Sequence, residues 1–254
     1  MFCFTAIKLS PVGPAFRLRW VSGRGLQPAP TLQCAANLRE IMFSFRLGRI
    51  QKIVVILILA IFSVPVWADP MADAATIEQV GDYNAVQVTQ AGAGQNAKVR
   101  QSGSGNAVEV GQSATDVAGY SGGNRADVGV AGDANVGSIV SQAGSGNAES
   151  TTVSGNQNGF SLVQQGGGNQ ATQTVTGDYN TVSTNQNGLG NQSAIAVDGM
   201  GNSVGQEQIG NSNTSSLTVE GSGNTITQHQ FGSGLSYSIT QIGNGRTVDV
   251  IQRN

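Results

Sequence analysis

The sequence predicts an all-β protein: a β-solenoid of stacked strand-turn-strand rungs, amyloid-like in its ladders of identical residues. Three observations carry this. First, a glycine returns every eleventh residue without a miss at Gly144, Gly155, Gly166, Gly177, Gly188, Gly199, Gly210, Gly221, Gly232 and Gly243, and the same spacing occurs earlier at Gly81, Gly92 and Gly103. Second, each glycine from Gly144 onward sits in the frame Gln/Val-x-Gly-x-x-Asn, with Leu235 and Arg246 replacing the last two asparagines. Third, polar and apolar residues alternate between the frames. Unbroken periodicity means one short unit stacked many times.

Residues 1–41 carry scattered prolines and arginines and no apolar period, and read as an N-terminal extension ahead of a start at Met42, the rival reading being a genuine long n-region that begins at Met1. Residues 42–68 read as a secretory signal. Arg46, Arg49 and Lys52 precede the apolar run Ile53 to Phe62, and Val66-Trp67-Ala68 supplies a small-residue cleavage site after Ala68. As a membrane span, Ile53 to Trp67 falls short of the roughly twenty residues needed. Residues 69–78 form a short mature N-terminal segment, and 79–254 the repeat domain, with an irregular stretch at 112–129 where the phase slips.

Beyond Ala68 the charge is lopsided. Lys98, Arg100, Arg125, Arg246 and Arg253 face fourteen Asp and Glu, a net charge near −9. No basic patch exists, which argues against a nucleic-acid partner. Cys3 and Cys34 both lie upstream, so the exported chain has no disulfide to stabilise it. Gly, Asn, Gln, Ser and Thr dominate, as in disordered chains, but disorder has no need of phase.

Within a unit, number the Gln or Val as slot 1, Gly as slot 3 and Asn as slot 6. Slots 6, 8, 10 and the next 1 and 3 share one face of an extended chain. In the unit opening at Gln208 that face carries Asn213, Ser215, Leu217, Val219 and Gly221, while Thr214, Ser216, Thr218 and Glu220 face the other way. This is a half-buried strand of about eight residues. The slots between Gly and Asn reverse the chain, where Gly supplies positive φ and Asn tolerates the turn. An eleven-residue helical supercoil would put a glycine inside every unit at about 1 kcal/mol each relative to Ala, so helix is rejected.

Pairs of units form a deeper repeat of twenty-two. Ser193-Ile195-Val197 is echoed by Ser215-Leu217-Val219, and Val204-Gln206-Gln208 by Ile226-Gln228-Gln230. One strand of each pair is aliphatic, with Ile195, Val197, Leu217 and Val219 as its column, and its partner is glutamine-rich. Rungs at about 4.8 Å put like above like. The expected amide ladder comprises Gln79, Gln90, Gln101, Gln142, Gln164, Gln186, Gln208, Gln230 and Gln241, with Asn84, Asn106, Asn147, Asn158, Asn169, Asn180, Asn191, Asn202, Asn213 and Asn224. Stacked amides satisfy one another, each offering donor and acceptor to its neighbours. Counting units gives about fifteen strands, hence seven or eight rungs.

These residues resemble the curlin repeat of curli subunits, in which Ser-x5-Gln-x-Gly-x-Gly-Asn-x-Ala-x3-Gln recurs every twenty-odd residues. Gln101-Ser102-Gly103-Ser104-Gly105-Asn106 and Gln142-Ala143-Gly144-Ser145-Gly146-Asn147-Ala148 are similar to its core, and Gln79 and Gln90 stand at the separation of its two glutamines. The resemblance covers about residues 77–252. Val153, Val175, Val197 and Val219 depart from it by replacing one glutamine of each pair. It implies a functional amyloid, exported through an outer-membrane curli secretion pore with accessory factors. At the cell surface it would polymerise with itself and other curli-type subunits into adhesive, pilus-like biofilm fibres, as either major subunit or nucleator.

Other chemistries read poorly. His229 is a lone histidine on the outward face, without a second ligand at metal spacing. The carboxylates fall mainly in turns or outward slots, and the regular region has no insertion to build a catalytic site, so no enzyme, cofactor or metal is expected. Asp198 and Glu220 should stack as like charges one rung apart, slowing premature assembly as gatekeepers. Tyr83 and Tyr179 sit in turns, Phe231 outward, Phe160 and Tyr237 inward. The alternative is a monomeric solenoid adhesin or ice- or glycan-binding protein, for which Thr214, Thr225 and Thr247 offer a sparse outward ladder. A β-helical carbohydrate enzyme stands third.

Overall fold

The structure, a computed structural model, describes residues 73–115, 117 and 122–254. Two short antiparallel pairs are described upstream: β1 (Ser10–Val12) with β2 (Ala15–Arg17), and β3 (Phe43–Ser44) with β4 (Val54–Val55). Apart from these pairs, the expected extension, signal and cleavage at Ala68 lie outside the described residues.

Sixteen strands follow: β5 (Ala74–Val80), β6 (Ala85–Ala91), β7 (Asn96–Ser102), β8 (Ala107–Ser113), β9 (Arg125–Ala131), β10 (Val136–Ser145), β11 (Ala148–Ser154), β12 (Gly159–Gly167), β13 (Gln170–Thr176), β14 (Thr181–Leu189), β15 (Gln192–Met200), β16 (Ser203–Ile209), β17 (Thr214–Ser222), β18 (Thr225–Phe231), β19 (Ser236–Ile242) and β20 (Thr247–Arg253). Odd strands β5 to β19 form one eight-stranded sheet and even strands β6 to β20 the other. Each strand pairs in parallel with the strand two along, because each turn sends the chain across to the opposite sheet and the next brings it back. The protein is a parallel β-solenoid of eight rungs, each an odd strand, a turn and an even strand.

Register follows the twenty-two-residue repeat. Ile195 pairs with Leu217 and Val197 with Val219 on one sheet, and Gln206 with Gln228 and Gln208 with Gln230 on the other. The repeat is interrupted in two separate places, one within 112–129 and one beyond it. Asn96 pairs with Arg125 and Ala107 with Val136, separations of 29 instead of 22, so seven extra residues lie between Ser113 and Arg125. The second is a one-residue bulge inside β10: Ser138 pairs with Ser161, 23 apart, but Gln142 with Gln164, 22 apart. Such a bulge adds a residue without disturbing the inward face on either side.

In a seven-residue strand the second, fourth and sixth residues point inward, as the burial of Ala97, Val99 and Gln101 on β7 shows. The interior holds a valine column on the odd sheet (Val130, Val153, Val175, Val197, Val219) and shorter aliphatic runs such as Ile195, Leu217 and Ile239. Phe160 fits its column by size: a Cβ on Gly137, one rung before, would lie 1.8 Å from the Phe160 ring. The division into an aliphatic and an amide side is incomplete. Thr151, Gln173, Thr184, Gln206 and Gln228 are all buried at the centre. Thr151 donates to Gln173 at 3.4 Å, Gln173 to Thr184 at 2.9 Å, Ser193 to Gln206 at 2.6 Å, and Ser215 to Gln228.

Candidate functional site: the amide ladders and the ends of the stack

The turns set the ladders in place. The slot-3 glycines have φ between +98° and +145° wherever the frame occurs, outside the range of L-residues. They also lack room: a Cβ on Gly166 would stand 2.1 Å from the carbonyl oxygen of Gly188 in the next rung, and one on Gly199 1.8 Å from that of Gly221. Two residues on, slot 5 takes the ordinary left-handed conformation, with φ of 67° at Gly201, 60° at Tyr179 and 57° at Ser212. Slot 3 therefore never varies while slot 5 does, and Tyr83 and Tyr179 project from the turns 68 % and 59 % exposed.

Slot 6 closes each turn. The Asn106 backbone N–H and Nδ2 both donate to Asn84 Oδ1, at 3.0 and 3.1 Å, and Nδ2 donates again to the Gly132 carbonyl at 2.7 Å. One column of this kind runs through Asn84, Asn106, Asn135, Asn158, Asn180, Asn202 and Asn224. The opposite turns carry Gln95, Asn124, Asn147, Asn169, Asn191 and Asn213. Almost all are fully buried, so the bonds repay desolvation that would otherwise cost about 1–3 kcal/mol per unpaired group.

The glutamine ladder on the even sheet is unbroken. Each Nε2 donates to the next Oε1 from Gln90 through Gln112, Gln142, Gln164, Gln186, Gln208 and Gln230 to Gln252, at 2.7–2.9 Å. The second amide hydrogen ties the two sheets together, as from Gln186 to the Gln170 carbonyl at 2.9 Å. Gln79 and Gln101 begin a second column on the odd sheet, bonded at 2.8 Å. Valines then take over until Gln241, which pairs with Val219.

Gln112, Gln252, Asn135, Asn124 and Gln95 belong to the ladders but were not expected there. Gln112 and Gln252 lack the marker two residues on: Ala114 and Asn254 stand where the frame has glycine. Asn135 follows Gly132 by three, a complete frame. Asn124 is displaced by the insertion, and Gln95 does the work of an asparagine.

The ends of the stack differ chemically. At the first rung the buried Gln79 Oε1 and Gln90 Oε1 have no hydrogen-bond partner among the described residues. At the last rung Gln252 Oε1 is taken by Gln230, and its Nε2 donates only to the Ser236 carbonyl at 3.3 Å, so one amide hydrogen has no ladder partner. Gln241 Nε2 donates to its neighbour Ile242 at 3.1 Å. Gln79 and Gln241 terminate the same odd-sheet column, and Gln90 and Gln252 the same even-sheet column. The asparagine columns, by contrast, stop at the last rung: Leu235 and Arg246 donate their backbone N–H groups to Asn213 and Asn224 but have no side-chain acceptor to offer. Among the described residues no strand pairs with the outer edges of β5, β6, β19 or β20. β2 lies against β5 and β4 against β6, both within the stretch expected to be cleaved off.

On the outer faces Asp198 and Glu220 are register partners, and both are exposed. His229 accompanies Glu207 one rung away (Nδ1 to Oε2, 2.9 Å) and stacks on Phe231 at 5.8 Å, with Arg253 over the same ring. Phe160 is buried, whereas Tyr237, inward in register, is 37 % exposed at the last rung. Thr214 lies on the odd sheet, and Thr225 and Thr247 pair on the even one. A fuller ladder covers the odd sheet in the last five rungs: Ser150, Thr172, Ala194, Ser216 and Ser238 beside Thr152, Thr174, Ala196, Thr218 and Thr240. Among the described residues no three His, Cys, Asp or Glu side chains gather as a metal site would need. Comparison with known protein families, curated proteins and solved structures found no match.

Proposed function

We propose that this chain is a secreted structural subunit that self-assembles end to end, by β-strand pairing, into curli-like functional amyloid fibres at the cell surface. One observation carries the reading: the unpartnered Gln79 and Gln90 oxygens at one end and the Gln241 and Gln252 amides at the other terminate the same two columns. Open strand edges invite pairing, and a head-to-tail contact that does not close gives filaments. A second copy stacked below the first rung would extend both sheets and supply donors to both orphaned oxygens. Removal of residues up to Ala68 would clear β2 and β4 from that rung. The partners are the chain itself, other curli-type subunits, and the secretion pore with its accessory factors. No catalytic activity, cofactor, metal or nucleic acid has a part in this reading. Purified residues 69–254 should form thioflavin-positive fibres with a cross-β reflection near 4.7–4.8 Å; a chain that stays monomeric at high concentration overturns it.

A second reading, a monomeric surface protein binding ice or glycan, is favoured by the two Ser/Thr/Ala columns that run side by side on the outer face of the odd sheet. It expects stable monomers whose ligand affinity is lost when Thr174 and Thr218 are replaced by Lys.

A further inference from the structure

Glu149 is the second residue of β11 and points into the core, 3 % exposed. Its register partners are Ala126 one rung before and Ala171 one rung after, so both of its neighbours in the column are small side chains. Neither carboxylate oxygen has a hydrogen-bond partner among the described residues. Every other Asp or Glu whose burial is described is partly or fully exposed, which makes Glu149 the one buried acid among the described residues.

Nothing packed around it supplies a compensating charge. β13, β10 and β12 carry no ionisable side chain, and the rest of β11 carries none. β9 carries Arg125 and Asp127, both on its outer face. Arg125 lies 3.8 Å from Asp127, which also takes Arg100 at 3.0 Å. An isolated carboxylate in such a place is strongly disfavoured against the neutral acid.

We propose that Glu149 is a proton gate on the solenoid: the fourth rung closes over this side chain only when its carboxyl carries a proton, so formation of the stack follows pH. Burial pushes the carboxyl up to about 8. Thr151 and the Asp127 backbone lie near enough to lower it somewhat, without a bond of normal geometry, and the Asp127 charge raises it. The direction follows from linkage. Below about 4.5 the acid is protonated folded or unfolded, and Glu149 favours neither. As pH rises from there toward 8 the unfolded chain ionises first, and the folding constant falls about tenfold per pH unit. Where the fibre reading holds, assembly inherits the same dependence. The gate itself acts on folding of a single chain.

The test is denaturant unfolding of the protein, E149Q and E149A between pH 4.5 and 8, followed by far-UV circular dichroism, a readout that needs no fibre. The gate predicts that the folding constant of the wild type falls about four-hundredfold relative to E149A between pH 4.5 and 7.5. The alanine variant carries what the rungs on either side carry. Parallel profiles for wild type and both variants overturn the proposal. A carbon-13 titration of the wild-type glutamate carboxyls decides the matter without a variant. The gate requires one carboxyl in the folded protein to titrate near 8, and a full set titrating between 4 and 5 overturns it.

Discussion

Gln90 and Gln112 lie one rung apart, and the Nε2 of Gln90 donates to the Oε1 of Gln112 at 2.9 Å while the Oε1 of Gln90 itself accepts nothing from the described residues. The same bond recurs six more times up the even sheet, so this one oxygen marks where the column begins. Interior and terminal glutamines of one ladder therefore have different roles, and the first prediction separates them.

Gln186→Ala removes the acceptor of Gln164 and the donor to Gln208, both buried. Two orphaned groups at about 1–3 kcal/mol each make a loss of roughly 2–6 kcal/mol, measurable by denaturant unfolding of the monomer. Gln252→Ala should cost the monomer far less and fall on fibre elongation instead.

The two left-handed residues of one turn should respond differently to the same change. Gly201→Ala meets nothing within 4 Å and bears only the conformational cost of φ 67°, about 1–2 kcal/mol. Gly199→Ala must displace the Gly221 carbonyl from 1.8 Å and should cost considerably more. Comparing the two unfolding midpoints checks this.

Asp198 and Glu220 meet in register on an exposed face, and relieving that repulsion should speed assembly. Asp198→Asn should shorten the thioflavin lag at low salt and lose most of its advantage near 1 M salt, where the Debye length is about 3 Å. Acidification should also accelerate growth by lowering the self-repulsion of a chain near −9. The contribution of Glu149 differs from both: its cost is burial, which salt does not screen, so the pH dependence that survives in high salt should vanish in E149A.

Phe160 fills the space above Gly137. Phe160→Ala opens a cavity that the glycine leaves unlined, and should lower stability by about 3–5 kcal/mol. Gly137→Ala, which drives a methyl into the ring, should also destabilise, and the double variant should recover part of the loss; unfolding curves of the three read this out.

Much of this was legible in the sequence because a stacked fold repeats its signal: Gly199, Gly210 and Gly221 alone set strand, turn and register. What escaped did so for physical reasons. The β10 bulge is written as a spacing of twelve between Gly132 and Gly144, one residue that a seven-residue insertion nearby concealed. Gln112 and Gln252 are not followed by the marker glycine, for Ala114 and Asn254 stand in its place. Glu149 sits in slot 8, an inward slot, so its burial could have been read from the frame; the other acids, in turns or outward slots, set a contrary expectation. The polar centre around Gln173 and Gln206 depends on side chains meeting across the two sheets, which a one-dimensional period does not encode.

The central claim, head-to-tail growth in register, places Ile242 of one subunit beside Val80 of the next, for both end the same outward column and both are exposed at 63 % and 40 %. Residues 69–254 contain no cysteine, so single Val80→Cys and Ile242→Cys subunits can be mixed, assembled and oxidised. Neighbouring strands stand about 4.8 Å apart, within the span a disulfide bridges. The account predicts mixed V80C–I242C dimers in the fibres and few dimers of either variant with itself. Like-with-like dimers in equal yield, or fibres that form without any cross-link, would contradict it.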